Sequence, residues 1–361
     1  MSEISQFITI HQIVKAAQKR LDMYHWDYLV GGTETETTLK RNRTAIDSRA
    51  LRPKVLNNVS EVDTSGEILG QPLSIPVMLA PIGRLQEFEA GGGASAAIAA
   101  EQAGVMSIAS SVCEPSLEDI AAASNAPKIY QLYVNFDADA VDDIVKRVVD
   151  SGYVGFCLTV DTAVVSRRER DISRRVRMTS KRDPEARAYR AALNWSDIAR
   201  IREKSDIPLI IKGINRVDDA LKAVEYGVDV VYVSNHGGRQ LDQGPGALDL
   251  LPDIVTAIKG KAEIAIDGGF YRGTDIVKAI AMGANAVGLG RLEAWAMAAG
   301  GAPAVVQCLD LLKAEITEVL ALCGVNSFKE LDESFVTDAQ PAVPPSVYSA
   351  FPLLNLENKG Y

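Results

Sequence analysis

Residues 208–239 read PLIIKGINRVDDALKAVEYGVDVVYVSNHGGR. A β-branched run ending at Lys212 gives way to a polar turn, then to Val217–Gly227 with helical spacing and a closing glycine, then to the apolar run Asp229–Ser234. Strand, helix and strand in so short a span predict a parallel βαβ unit. The same unit recurs outward in both directions. Apolar runs occupy Pro76–Ala80, Met106–Ser110, Ile129–Val134, Gly155–Asp161, Pro208–Lys212, Asp229–Ser234, Glu263–Asp267 and Ala286–Gly290, and Ser116–Ala123, Asp139–Asp150 and Thr274–Gly283 have helix-like composition between them. Eight units in about 215 residues predict an α/β fold, a closed (β/α)8 TIM barrel over 76–335, rather than an open doubly wound sheet of fewer strands.

The C-terminal ends of barrel strands are where such enzymes collect their chemistry. In order the runs deliver Ser110 and Ser111, Gln131 with Tyr133, Thr159 with Asp161, Lys212, Ser234 with His236, Asp267, and Arg291 just beyond Gly290. Exposure explains one polar strand end, but not this range of donors, acceptors and titratable groups, which together predict a mouth suited to a large polar cofactor. The densest stretch is Ser234-Asn235-His236-Gly237-Gly238-Arg239. Its imidazole, one of three in 361 residues, can accept a proton near neutral pH. Arg239 offers a planar fork for a carboxylate, and the two glycines let the chain turn and a ligand approach. A satisfied core histidine beside a surface arginine is the bland alternative, and it leaves the glycines unexplained.

Asp267-Gly268-Gly269 and Gly288-Leu289-Gly290-Arg291 close the seventh and eighth runs, the usual phosphate seat of such barrels. Asp267 is suited to the hydroxyls of a sugar or ribityl chain. Lys212 ends a buried run and should point into the mouth. It could serve as a Schiff-base nucleophile or as a fixed charge beside a cofactor ring, and the residues alone leave both open. Asp161 is placed to orient His236 as a carboxylate orients a general base. Arg167 and Arg168 follow it within a charged run, and one of them turned inward would form a second carboxylate clamp with Arg239.

Residues 1–75 hold an amphipathic pattern over Ile10–Leu29, a Gly31-Gly32 break, a polar Thr/Glu stretch and a segment rich in arginine and asparagine read as a loop, together a helical cap on the barrel. The tail, 336–361, has four prolines and no clear period and is expected to run extended. Lysine and arginine total 38 against 47 acidic residues, a formal charge of −9 that argues against nucleic acid or anionic membrane as partner. Four scattered cysteines suggest neither disulfides nor a metal site. With no export signal and no apolar stretch of about 18 residues, no membrane span and a cytoplasmic location are expected.

With His236, Arg239, Lys212 and Asp267 in place, the chain strongly resembles the FMN-dependent α-hydroxy-acid oxidase and dehydrogenase family over about residues 10–335. The family includes glycolate oxidase, lactate oxidase, mandelate dehydrogenase and flavocytochrome b2. The motifs are Ser234-Asn235-His236-Gly237-Gly238-Arg239-Gln240-Leu241-Asp242, Leu158-Thr159-Val160-Asp161-Thr162, Gln131-Leu132-Tyr133, and Asp267-Gly268-Gly269 followed by Arg272-Gly273-Thr274-Asp275. The resemblance implies FMN as cofactor and oxidation of an (S)-2-hydroxy acid, small or larger, to the 2-oxo acid, with electrons passed to oxygen or another acceptor. It implies His236 as the base supported by Asp161, a carboxylate clamp of Arg168 and Arg239, Tyr28 on the same carboxylate, and Tyr133 near the substrate hydroxyl. Lys212 would stabilise negative charge at the flavin N1/O2 edge, which favours that role over a Schiff base. Ser110, Gln131, Thr159 and Ser234 would bond the flavin, Asp267 the ribityl chain, and Gly269, Gly290 and Arg291 the phosphate. A homotetramer is also implied.

Several positions depart from the family pattern. By the same resemblance Ala80 and the segment Pro81-Ile82-Gly83 would lie against the flavin, with glycine where many oxidases carry alanine near N5, which weakens the case for rapid reaction with oxygen. Tyr271 stands where many members have arginine, so Arg272 or Arg291 must carry more of the phosphate charge. Val112 replaces a tryptophan and should open the substrate side. The Phe88-Glu89-Ala90-Gly91-Gly92 stretch lacks the usual His-Pro-x-Gly-Glu pattern. Ile172–Leu193, where the family carries a mobile lid, is short and charged.

Overall fold

The computed structural model describes residues 7–174 and 184–355. Eight parallel strands close on themselves: β1 (Val77–Leu79), β2 (Met106–Ser110), β3 (Lys128–Leu132), β4 (Gly155–Thr159), β5 (Leu209–Ile214), β6 (Val230–Val233), β7 (Glu263–Ile266) and β8 (Ala286–Leu289). Each pairs with the next in chain order, and closure comes from Val287 opposite Val77 and Leu289 opposite Leu79. All eight expected runs hold one strand each, with ends differing by at most two residues.

The strands alternate between two apolar surfaces. Met78, Ile108, Ile129, Cys157, Ile210, Tyr232, Ala265 and Ala286, one from each strand, form an inner cluster that fills the barrel. Their neighbours, among them Val77, Phe156, Ile211 and Val231, belong to a second cluster against the surrounding helices. Burying a branched aliphatic side chain contributes roughly 1.5–3 kcal/mol, and a one-residue slip would exchange the two sets, so register is firmly held.

Three helices precede the barrel: α1 (Ile10–Arg20), α2 (Met23–Val30) and α3 (Thr37–Asp47). The amphipathic pattern expected to run unbroken over Ile10–Leu29 is divided at Asp22, whose side chain accepts from the His25 amide and caps a new helix. The arginine- and asparagine-rich segment expected to be a loop is helical as α3. Two of its polar residues face inward: Asn42 and Arg43 are buried beside Leu39, Ala45 and Ile46, while Lys40 and Arg41 are exposed. Arg43 donates to Asp275 and to the Gly269 carbonyl, both at 2.7 Å.

Behind the barrel Gly92–Ala103 forms α4, and Arg291–Cys323 forms α5, kinked at Gly300 and Gly301. The tail begins as a strand, Val336–Asp338, antiparallel to Arg49–Leu51. Further on, Tyr348 stacks on Trp26 and Trp295, and Phe351 packs edge-on to Trp295. Of the segment expected as a lid, 175–183 lies outside the described residues; Glu169–Ser173 and Pro184–Ala192 are helical. No helix among the described residues is long and apolar enough to cross a membrane.

Candidate active site

The period of two that fills the barrel also builds its mouth. Two residues beyond each inner core residue, one pleat higher on the same face, stand Ala80, Ser110, Gln131, Thr159, Lys212, Ser234, Asp267 and Gly288. Six of the eight are polar, and all six are buried. They satisfy one another around the ring. Ser110 Oγ donates to Gln131 Oε1 at 2.9 Å, and Gln131 Nε2 donates to Thr159 Oγ1 at 2.8 Å. On the far side Lys212 Nζ lies 2.8 Å from both Ser234 Oγ and Asp267 Oδ2, and Ser234 Oγ donates to Asp267 Oδ1 at 2.6 Å. Burial opposes the Lys212 charge, but the Asp267 and Asp161 carboxylates outweigh it and raise its pKa.

Above this ring opens a cavity of about 570 Å³, which Ala80, Lys212, Asp267 and Gly288 of the ring line directly while Ser110, Gln131, Thr159 and Ser234 lie outside its lining. Its walls include Tyr28, Ala80, Pro81, Ile82, Gly83, Val112, Tyr133, Arg168, His236, Arg239, Gly269, Gly290 and Arg291. His236 follows β6 in a left-handed conformation, φ 57°, continued by Gly237 and Gly238. Its Nδ1 lies 2.9 Å from Asp161 Oδ1. An ionised carboxylate only accepts, so Nδ1 carries the proton and Nε2 presents a lone pair to the cavity, 3.4 Å from the Tyr133 hydroxyl. Burial alone would raise the Asp161 carboxyl; His236 and Lys212 reverse this, and its pKa is lowered. Burial raises the Tyr133 phenol, so it is a neutral donor.

Two glycines permit this convergence. Gly213, φ 115°, sits at a register shift in β5, and a Cβ there would lie 2.8 Å from Asp161 Cβ. Gly238, φ 73°, would place a Cβ 2.5 Å from the Leu39 backbone nitrogen. Gly238→Ala is therefore expected to destabilise the protein by about 1–3 kcal/mol and to displace the loop carrying His236 and Arg239. A fall in melting temperature together with weakened cofactor binding would register it; wild-type values for both would show that the contact yields.

The guanidiniums of Arg239 and Arg168 lie 4.7 and 6.0 Å from the Tyr28 ring centre. Arg239 donates to the Tyr28 and Gly31 carbonyls. Arg168 has only a long contact to Asp171, 3.8 Å, and a bond to Ser166 Oγ. Burial and the neighbouring Arg239 push its pKa down to about 10. Arg167 points outward to Glu169, so of the two candidates Arg168 is the inward one. Two like charges are held together here with no carboxylate between them among the described residues, an arrangement suited to an anion.

Arg272 departs from its expected place. Its guanidinium pairs with Glu315 on α5 and reaches the Ala350 carbonyl, outside the cavity. The segment at Gly273 packs directly on α5, which fixes that direction. Arg291 does face the cavity, but donates to the carbonyls of Leu29, Gly31 and Gly237. Sequence reasoning missed Arg43, which supports the Gly269 carbonyl from α3, and Asn42 and Asn235, whose amides bond reciprocally and tie α3 to the His236 loop. An asparagine beside an arginine in a polar stretch gives no local signal of burial.

The profile of the FMN-dependent dehydrogenase family matches residues 17–338. The L-lactate oxidase of Nostoc sp. is 36% identical over 363 residues, covering 93% of this chain and 100% of that protein. A 2-hydroxyacid oxidase of Dictyostelium discoideum is 32% identical over 356 residues, covering 93% and 92%. Mandelate oxidase solved with (S)-2-phenylpropionate superposes with a TM-score of 0.85 at 33% identity, over 94% of this chain and 100% of that one. A single-site mandelate oxidase variant solved with a C4a-OH-FMN adduct gives 0.84 at 33% identity, over 92% and 100%.

Proposed function

The chain belongs to the FMN-dependent dehydrogenase family and oxidises 2-hydroxy acids with FMN as cofactor, and from that premise we propose that His236 is the base and that Arg168 and Arg239 bind the substrate carboxylate. One observation carries this reading. The lone pair of His236 Nε2 and the Arg168 and Arg239 guanidiniums open into the same cavity, whose lining includes Lys212 and Asp267 of the polar ring.

The cavity fits the cofactor on its own geometry. A Cβ at Gly290 would meet nothing within 4 Å, so glycine there keeps room for a bound group beside the first turn of α5. Amides at that helix start, with Arg291 and Gly269, would hold the phosphate. Asp267 would bond the ribityl hydroxyls; Ala80, Pro81 and Ile82 would flank the ring. Ser110, Gln131, Thr159 and Ser234 would meet its polar edge, where Lys212 adds positive charge. A lysine kept charged by Asp267 at 2.8 Å and by the field of Asp161 is a poor Schiff-base nucleophile, which weighs against that role. When bound, FMN takes the two electrons that leave the substrate's α-carbon.

Tyr28 joins the guanidiniums in fixing the carboxylate, so that the carbinol group lies between Nε2 and the place the cofactor ring would take. Two protons and two electrons leave the substrate: His236 takes one proton and Asp161 holds the imidazolium that results, while the other proton would leave with the electron pair toward the cofactor. Tyr133 donates to the substrate oxygen. Val112 and Val164, both exposed at the mouth, leave space for an aryl or long alkyl substituent on an (S)-2-hydroxy acid. Oxygen is the proposed acceptor, as the oxidase names of the relatives support.

The purified protein should be yellow, and lactate, mandelate and longer 2-hydroxy acids added without air should bleach it in order of fit. Readmitted air should restore the colour. A protein bleached by no 2-hydroxy acid would remove the site assignments; one that recolours only with a dye would remove oxygen as acceptor.

A further inference from the structure

Glu293 lies in the first turn of α5, on the outer side of the barrel wall, and is 3% exposed. Its side chain faces a cavity of about 10 Å³ between β2, α4 and the loop after β1, bordered by Ile82, Leu85, Ala96, Ser107 and Cys113. Among the described residues that border it, none carries positive charge. Glu293 Oε2 and Ser107 Oγ both lack a hydrogen-bond partner among the described residues. The cavity is about the size of one water molecule.

An isolated carboxylate is far more costly to bury than the neutral acid, which can donate as well as accept. Burial pushes the Glu293 carboxyl well above the usual range, although the Ala80 backbone amide favours its charge. The start of α5 favours charge too, but Arg291 is turned away to the carbonyls of Leu29, Gly31 and Gly237. The titratable groups facing Glu293 are the Cys113 thiol and, through the barrel wall, the Tyr232 phenol, and neither supplies positive charge.

We propose that Glu293 is an uncharged carboxylic acid that braces the Ala80–Gly83 wall of the active site from behind, across a cavity it shares with Ile82, through one enclosed water held with Ser107. It is a positioning residue, acting on the cofactor only through that wall, and the proposal does not depend on the role of His236.

The test is thermal unfolding of FMN-saturated wild-type and Glu293→Gln protein. Folded protein keeps the Glu293 proton to higher pH than the unfolded chain, so unfolding releases a proton above the ordinary carboxylate pKa and stability falls as pH rises. Relative to E293Q, the wild-type unfolding constant should rise by up to about tenfold per pH unit once pH passes the ordinary carboxylate range. The melting temperature of E293Q should therefore exceed that of wild type by a gap widening with pH; a constant or narrowing gap overturns the uncharged acid. Infrared spectra of wild type should keep a protonated-carboxyl carbonyl band at pH 8, and its absence overturns the proposal even if E293Q folds poorly. For bracing, Glu293→Ala should weaken FMN binding about tenfold while E293Q stays within about threefold of wild type. Equal losses in the two variants overturn it.

Discussion

Replacing His236 by glutamine is expected to slow reduction of the bound flavin by 2-hydroxy acid about 10³- to 10⁴-fold while leaving FMN bound. The imidazole's role depends on two atoms with opposite duties. Nδ1 is committed to Asp161, which fixes the tautomer, and Nε2 is thereby left as the acceptor in the cavity. Glutamine can keep a bond to Asp161 but has no nitrogen that accepts a proton near neutral pH. Asp161 has its pKa lowered below the ordinary carboxylate range, so it remains charged as pH falls until well after exposed carboxylates protonate. Loss of activity on mild acidification therefore does not come from Asp161. Anaerobic rapid mixing separates the proton-transfer step from reoxidation. Reduction in His236→Gln within tenfold of the wild-type rate would show that another group is the base.

The second large effect has opposite signs for binding and for stability. Arg168→Met should raise the KM for a 2-hydroxy acid and the Kd of a non-reacting carboxylate inhibitor about 100-fold, the value of one charge-assisted pair removed from a buried site. The same change should leave the melting temperature of the substrate-free protein equal or higher. Arg168 is buried against Arg239 with Asp171 no nearer than 3.8 Å, and its pKa is lowered to about 10. A base disfavoured in its charged form costs stability at every pH below about 10, and the cost is relieved only as pH rises past that value. Methionine keeps the apolar stem and removes the charge. A loss of substrate affinity accompanied by a loss of stability would mean that Arg168 is held by partners of its own and is structural.

How much of this was legible before folding can be judged residue by residue. The eight strands were, because a barrel strand is short, apolar on both faces and bounded by turn residues, all properties of contiguous sequence. The polar ring was also legible. Once a strand end is recognised, a period of two dictates which residue faces inward, and Gln131, Thr159, Lys212, Ser234 and Asp267 follow. His236 announced itself through the glycines that its left-handed backbone requires. The helix α3 did not, since Asn42 and Arg43 look like surface residues until Asn235 and Asp275, some 190 or more positions away, are brought against them.

The sequence by itself thus determined the order of the barrel, the family and the set of side chains gathered at its mouth, because those depend on local alternation and on motifs within a few residues of each strand end. The tertiary structure alone decided how charges were spent. It turned Arg168 inward and Arg167 outward, committed Arg272 to Glu315 rather than to the cavity, supplied Arg43 beneath Gly269, and buried Glu293 with no cation beside it among the described residues. The energy of a buried charge is set by partners distant in the chain and by water excluded on folding, and no window of sequence contains either.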